Sequence, residues 1–140
     1  MANSIQYAKT QATPITKLDT NELGGRVRMA FAEYEAATEQ STITMFSLPN
    51  GARLLSGAVS HDALNSSTTL SVGYAAHTKA DGTAQALDVD EYKAAAASTS
   101  ATSSDCLVTM ALGKNTVLDA NEDGVPITVT LAGADGAGTI

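Results

Sequence analysis

The sequence has 140 residues, a length typical of one domain, and 44% of them are apolar, which is enough for a hydrophobic core. With no Trp, two Phe and four Tyr, that core must consist of Val, Ile, Leu, Met and Ala, whose small side chains suit thin sheets. The formal net charge is −7 and the eight basic residues are scattered, so we expect neither nucleic acid nor an anionic membrane surface as a partner.

Residues 1–24 form a polar stretch with neither the period of a strand nor that of a helix. Pro14 interrupts it and Gly24-Gly25 ends it, so we interpret it as an extended N-terminal arm, with a disordered tail as the alternative. At about 3.3 Å per residue, an extended arm of this length could embrace a neighbouring subunit. The stretch lacks the apolar centre of a signal peptide, and no apolar run reaches the ~18 residues of a membrane span. We therefore expect synthesis in a cytoplasm.

From residue 26 onward the sequence alternates in the manner of half-buried β-strands. In residues 26–34, Val27, Met29 and Phe31 share one face, and residues 42–48 alternate and are rich in β-branched side chains. Pro49-Asn50-Gly51 is a strong turn signal, because Pro presets φ and Asn-Gly accepts a positive φ. Further strands are predicted for residues 53–60, 68–74, 106–112, 116–118 and 127–131.

One short helix is predicted for residues 91–97. Asp88 or Asp90 can cap it, and four consecutive alanines favour helix. The polar residues 98–104 predict a loop. About seven or eight short strands separated by turn residues predict an all-β fold for residues 25–140, an antiparallel β-sandwich or jelly-roll-like barrel with one short helix and the extended N-terminal arm.

The best candidate for a metal site is the run from Asp119 to Gly124. Asp119, Asn121 and Asp123 match the first half of an EF-hand loop, with oxygen ligands at alternate positions and glycine at the sixth. Thr130 stands where the loop needs a bidentate Glu, and the flanking residues resemble strands. Because the same residue types build a turn between strands, we interpret the run as a turn, with calcium binding as the alternative.

Ser60, His61 and Asp62 contain the three side-chain types of a hydrolytic triad, but they are adjacent in sequence. A triad needs side chains that converge from different elements, with the nucleophile on a strained turn. We therefore interpret His61-Asp62 as a polar loop after a strand that ends at Ser60, and His77 as part of another polar loop.

The acidic side chains of Asp88, Asp90 and Glu91 are better explained by the start of the predicted helix than by a pair of catalytic carboxylates. The single cysteine, Cys106, lies in an apolar run and is interpreted as a buried small hydrophobe. The sequence therefore predicts no catalytic residue, no metal ligand and no cofactor, and we expect the protein not to be an enzyme.

Several turn-and-strand stretches carry a resemblance to a known family. They are LPNGARLL (residues 48–55), DALNSSTTLSVG (62–73), DGVPITVTL (123–131) and AGTI (137–140). These stretches resemble those of small virion structural proteins of tailed bacteriophages, in particular head decoration (cement) proteins. In that family the last of them opens a further strand.

The resemblance implies a structural protein without an active site. It would stabilise a bacteriophage capsid by binding the major capsid protein at junctions between its subunits, as a homotrimer on the outer capsid surface of the virion, after synthesis in the host cytoplasm. The alternatives are a tail, neck or fibre component of the virion, and a host-surface sugar- or calcium-binding β-module.

Overall fold

The computed structural model describes residues 4–14, 17 and 25–140, which contain one α-helix, a 3-10 turn and ten β-strands. The helix is α1 (Ile5–Gln11), and the 3-10 turn is Met110–Leu112. The strands are β1 (Glu35–Glu39), β2 (Thr42–Leu48), β3 (Gly57–His61), β4 (Thr69–Tyr74), β5 (His77–Thr78), β6 (Ala84–Gln85), β7 (Asp88–Ala97), β8 (Thr102–Cys106), β9 (Val125–Ala132) and β10 (Gly136–Thr139).

All strand pairs are antiparallel. The largest sheet has the order β2-β9-β4-β7, and three two-stranded sheets are formed by β1 with β10, β3 with β8, and β5 with β6. The expectation of an all-β fold is thereby confirmed for the described residues, and the one short α-helix found there is α1 rather than a helix at residues 91–97. The finer arrangement, a sandwich or a jelly-roll-like barrel, stays a prediction.

The centre of the core lies on β4 and β9, the two inner strands of the large sheet. Ile127, Val129 and Leu131 on β9 are all buried, and Leu70 and Val72 on β4 pack beside them. Inner strands are covered by their neighbours along both edges, so their side chains bury more completely than those of β2 or β7. This arrangement leaves β2 and β7 as the edges of the large sheet.

The loop between β3 and β4 is also part of the core. Leu64 and Thr68 are fully buried there, and the Thr68 hydroxyl donates to the carbonyl of Leu64 at 3.1 Å. Ser98 joins this corner to the end of β7, because its hydroxyl donates to the Thr68 carbonyl at 3.0 Å and its carbonyl accepts from the Leu64 amide at 2.9 Å. A loop with this many buried bonds holds the sheets together rather than merely connecting them.

The predicted helix at residues 91–97 is wrong, because this segment belongs to β7. Its alanines pair with β4, with Ala96 opposite Leu70 and Ala97 opposite Thr69, while Tyr92 is buried in the core. The helix propensity of alanine contributes little free energy. Pairing with β4 and burial of the Tyr92 side chain contribute more, so tertiary structure overrides the local preference.

The strand predictions divide into two groups. Residues 42–48 and the turn at Pro49-Asn50-Gly51 are confirmed, with Gly51 at φ 75°, and the strands predicted at 68–74 and 127–131 match β4 and β9 within two residues at each end. Residues 53–60 form a strand only from Gly57, residues 116–118 contribute a single bridge between Val117 and Arg53, and residues 106–112 contain the 3-10 turn. The predicted loop at 98–104 overlaps β8.

The N-terminal part differs from the expectation in two ways. Residues 5–11 form α1, which Ser4 caps by accepting from the Tyr7 amide at 3.1 Å, so this part of the predicted arm is helical rather than extended. Residues 1–3, 15–16 and 18–24 of the predicted arm lie outside the described residues. The strand predicted at 26–34 is also wrong, since pairing with β10 begins only at Tyr34 and Glu35.

Thr128, in the middle of β9, provides a test of the core. It is 0% exposed, and its hydroxyl oxygen has no hydrogen-bond partner. A buried hydroxyl without a partner costs free energy that an isosteric methyl group does not, so Thr128→Val is expected to stabilise the fold by about 1 kcal/mol in urea unfolding. Thr130→Val on the same strand is the control. The Thr130 hydroxyl already has a hydrogen-bond partner, the Thr42 hydroxyl at 3.0 Å, so its removal should not raise the stability. Equal effects of the two substitutions would contradict this account.

Candidate functional site

A cavity of about 160 Å³ lies beside the end of β4 and contains aromatic and polar side chains from several elements. Tyr74 comes from β4, His77 from β5, Gln85 from β6, and Glu91 and Tyr92 from β7. The residues before β9 close its other side. No single segment of the chain supplies this combination, which exists only because four strands end or bend at this point.

The aromatic rings set the shape of the cavity. Tyr74 packs edge-on against the imidazole of His77 with ring centroids 5.3 Å apart, and lies 5.9 Å from the ring of Tyr92 at a tilt of 55°. Gln85 Nε2 donates to the Tyr74 hydroxyl at 3.1 Å, and His77 Nδ1 donates to the Ala75 carbonyl at 3.0 Å. These contacts fix the rings, so the cavity is bounded by ordered side chains.

Acidic groups dominate the electrostatics on the β7 side. Burial raises the pKa of the Glu91 carboxyl, and the neighbouring charges of Asp88 and Asp90 raise it further. Burial also raises the pKa of both tyrosine hydroxyls, with the charges of Asp88 and Glu91 adding to it, so Tyr74 and Tyr92 are neutral hydrogen-bonding groups at physiological pH. The cavity is therefore lined by a carboxylate, an amide and two aromatic rings, of which that of Tyr92 is almost fully buried.

The raised pKa of Glu91 predicts a pH-dependent effect of Glu91→Gln. The folded state holds the Glu91 proton more tightly than the unfolded chain, so this group favours folding below its ordinary pKa of 4.5 and disfavours it as the pH rises through the folded-state value. Because the side chain is partly exposed, we expect the variant to be more stable by only about a few tenths of a kcal/mol at neutral pH, and equal to the parent at low pH. Urea unfolding at several pH values checks this, with the exposed Glu33→Gln as control.

The Asp119 to Gly124 run forms a turn whose polar groups bond to the protein itself. Asp119 Oδ1 accepts from the Ala80 amide at 3.1 Å, and Asn121 Oδ1 accepts from the Asp123 amide at 3.0 Å while Asn121 Nδ2 donates to Asp123 Oδ2 at 2.9 Å. Within the part of the chain that the structure describes, no three His, Cys, Asp or Glu side chains form a group that could hold a metal ion. The geometry is that of a turn, and Gly124 takes the positive φ of 78° that it needs.

Ser60, His61 and Asp62 do not converge. Ser60 and His61 are the last residues of β3, so their side chains point to opposite faces, and the Ser60 hydroxyl donates to that of Ser103 at 3.0 Å. The buried His61 donates through Nδ1 to the Asp62 carbonyl at 2.7 Å, and Asp62 Oδ2 accepts from the Thr139 amide at 3.2 Å. Each of the three side chains makes a structural bond of its own.

Cys106 ends β8 and is buried, as the interpretation as a small hydrophobe predicted. Burial raises the pKa of its thiol, although the charge of Lys93 opposes the shift. The thiolate, which is the reactive form, is therefore disfavoured.

A second candidate surface lies just before β1. Val27, Met29 and Phe31 are 82%, 92% and 80% exposed, and they alternate with Arg26 and Arg28 along the chain. Large apolar side chains at alternate positions are typical of a strand that is covered on one face. The sequence pattern identified these three residues, but it predicted that they form one face of a half-buried strand of this domain, whereas the structure leaves them exposed.

Sequence reasoning missed the aromatic cavity. The sequence predicts a helix at Tyr92, and nothing in it indicates that Tyr74, Gln85 and Tyr92 meet, since they lie on three different strands. The sequence predicts that Asp88 and Glu91 mark the start of a helix, which is wrong because they belong to β7.

Comparisons with protein-family models, with curated proteins and with solved structures find no match to this chain. Among residues 4–14, 17 and 25–140, no helix has both the length and the apolar character that crossing a membrane requires. The proposed function therefore rests on this geometry and on the resemblance carried by residues 48–55, 62–73, 123–131 and 137–140.

Proposed function

We propose that the protein is a structural component of a bacteriophage virion that decorates the capsid, binding as a homotrimer on the outer surface at junctions between major capsid subunits. The observation that carries the proposal is the exposed apolar row of Val27, Met29 and Phe31 in front of β1. Exposure of such a row to water is unfavourable, and its burial against another surface lowers the free energy. A protein whose role is to bind neighbouring subunits needs a surface of this kind.

The resembling stretches occupy positions that fit a scaffold role. Residues 48–55 turn the chain out of β2 and bring Arg53 to its bridge with Val117, and residues 62–73 contain the buried corner around Leu64 together with most of β4. Residues 123–131 and 137–140 contain most of β9 and most of β10, the partners of β2, β4 and β1. In this proposal the shared residues maintain a rigid body, and the contact surface lies outside them.

The charge of the chain supports binding to the outer surface of the capsid rather than to the inner surface. With a formal net charge of −7, the protein would be repelled by packaged DNA, whereas the same charge favours solubility before assembly. In this proposal the protein has no enzymatic activity, and its contribution is the additional contact between neighbouring capsid subunits.

The aromatic cavity favours one second candidate, a module that binds a sugar on a host surface. The half-buried ring of Tyr74, the Glu91 carboxylate and the Gln85 amide are groups of the kind that contact the apolar face and the hydroxyls of a sugar ring. A glycan array probed with the purified protein tests it, with Tyr92→Phe and Gln85→Ala as variants. Binding to a defined glycan that Gln85→Ala abolishes would support this candidate, and a blank array would remove it.

Electron microscopy of intact particles tests the main proposal. An antibody raised against the purified chain is applied to virions purified from infected cells that produce it, and the label is located on the particle. Label at regular positions over the head is the expected result. Label confined to the tail or neck would overturn decoration in favour of another virion role, and particles without label would overturn both.

A further inference from the structure

The segment of residues 26–32 has an unpaired backbone as well as exposed apolar side chains. The ladder between β1 and β10 ends at Tyr34 and Ile140, whose amides and carbonyls bond to each other at 3.0 and 2.9 Å. Among the described residues, no hydrogen bond reaches residues 26–32. These residues are therefore equipped to form a strand, with apolar side chains on one face, and lack only a partner edge.

The outer edge of β2 is such an edge. β2 is the end strand of the large sheet, and its only strand neighbour among the described residues is β9. The seven residues of Thr42–Leu48 contain no charge and no proline, the two features with which proteins usually protect an edge strand. Met45 and Phe46 are half-buried at this edge, so a further strand would cover apolar surface as well as backbone groups.

We propose that residues 26–32 of one copy of this chain add to the outer edge of β2 in a second copy, as a fifth strand antiparallel to β2. Strand addition of this kind gains main-chain hydrogen bonds along the whole edge, and the alternate side chains fix the register. In this arrangement Val27, Met29 and Phe31 continue the core face of the sheet, on the side of the buried Ile43.

Charge complementarity determines the direction. Asp123 lies beside the C-terminal end of β2, because the Ser47 hydroxyl donates to its backbone carbonyl at 2.8 Å. Together with the preceding Glu122, it makes this end of β2 acidic. The antiparallel direction places Arg26 and Arg28 at this end. A parallel strand would instead bring Glu33 to the two carboxylates, which is repulsive.

A second copy is the favoured partner because every chain carries both the segment and the edge. Each copy can donate residues 26–32 to one neighbour and accept those of another, a head-to-tail contact that closes into a ring when the rotation allows it. This inference rests on the self-association included in the proposed function, and it names the contact that produces it. An edge strand of a capsid protein is the competing partner, and the experiment below separates the two.

Cross-linking between single-cysteine variants tests the contact. Ala30→Cys and Thr44→Cys are made separately with Cys106→Ala, purified, mixed and treated with a short bismaleimide. Ala30 lies on the face opposite the apolar row, and Thr44 is exposed on the corresponding face of β2, so neither change removes the proposed contacts. We expect dimers that contain one chain of each variant. Cross-linking of Ala30→Cys with itself alone would overturn the assignment to β2.

Sedimentation of the full chain supplies the second measurement. Replacing Val27, Met29 and Phe31 together by serine should weaken self-association by at least about tenfold, while Ala30→Ser with Ala32→Ser, on the opposite face, should leave it unchanged. Equal effects of the two sets would overturn the proposal. Circular dichroism confirms that each variant is folded, which is expected since all five residues lie outside the sheets.

Failure of this inference can be distinguished from failure of the proposed function. A chain that is monomeric in solution yet labels the head regularly in the microscopy experiment overturns strand exchange and leaves decoration in place. An oligomer with the expected cross-link that is absent from particles supports strand exchange and overturns decoration.

Discussion

Replacing Gly73 with alanine is expected to destabilise the fold by about 3 kcal/mol, the upper end of what overpacking costs. Gly73 lies in β4, where the backbone of β7 bulges across it. A methyl group at this position would overlap the carbonyl oxygen of Asp88 and lie 2.6 Å from the carbonyl carbon of Val89. Because both are backbone atoms, no rotation of a side chain relieves the contact. The bulge itself must move, and it carries Glu91 and Tyr92 with it.

Urea and thermal unfolding followed by circular dichroism measure the effect, which corresponds to a fall in Tm of roughly 10 °C for a domain of this size. Gly57→Ala is the matched control. It lies in β3, and an added methyl group there would be 3.6 Å from Cys106 Cβ and Leu107 Cδ1, an ordinary contact distance. The control should be unchanged or slightly more stable, because alanine restricts the unfolded chain. If both variants unfold at the same midpoint, the close approach of β7 to Gly73 is wrong.

The comparison of β2 with β7 shows which parts of the fold the sequence could predict. β2 was predicted with its bounds because its period, its β-branched residues and the following Pro49-Asn50-Gly51 turn all indicate the same structure. In β7 the local signals disagree with the fold. The alanines favour helix, and the pairing with β4 that makes them a strand depends on residues more than 20 positions away.

The candidate sites also differ in how far the sequence predicts them. The alternation of Val27, Met29 and Phe31 is visible in the sequence, but the pattern alone could not show that these side chains are exposed rather than packed on this domain. The cavity around Tyr74 and Tyr92 gave no signal, because it depends on where strands end and bend in space. Turn residues such as Asn121 and Asp123 were interpreted correctly, since their bonds are local.

Leu64→Ala is expected to cost about 3 kcal/mol, within the range for removing a fully buried leucine side chain. Leu64 is 0% exposed although it lies in the loop between β3 and β4. An added methyl group at Gly138 on β10 would lie 3.2 Å from its Cδ2 atom, and one at Gly136 would lie 3.6 Å from its carbonyl oxygen. The Leu64 side chain therefore packs against the space that Gly138 leaves open, and its truncation leaves a cavity between this loop and β10.

The location of Leu64 makes a second result measurable. Residues 62–64 hold β10 through the bond from the Asp62 amide to the Thr139 carbonyl at 2.9 Å, and β10 in turn is the only strand neighbour of β1 among the described residues. Leu64→Ala should therefore increase hydrogen exchange at the amides of Tyr34 and Ile140 more than at β4 or β9. Leu87→Ala, at a side chain that is 53% exposed, should change neither stability nor exchange appreciably. A uniform increase in exchange would mean that the loop around Leu64 does not specifically anchor β10 and, through it, β1. β1 is the strand that follows the exposed apolar row.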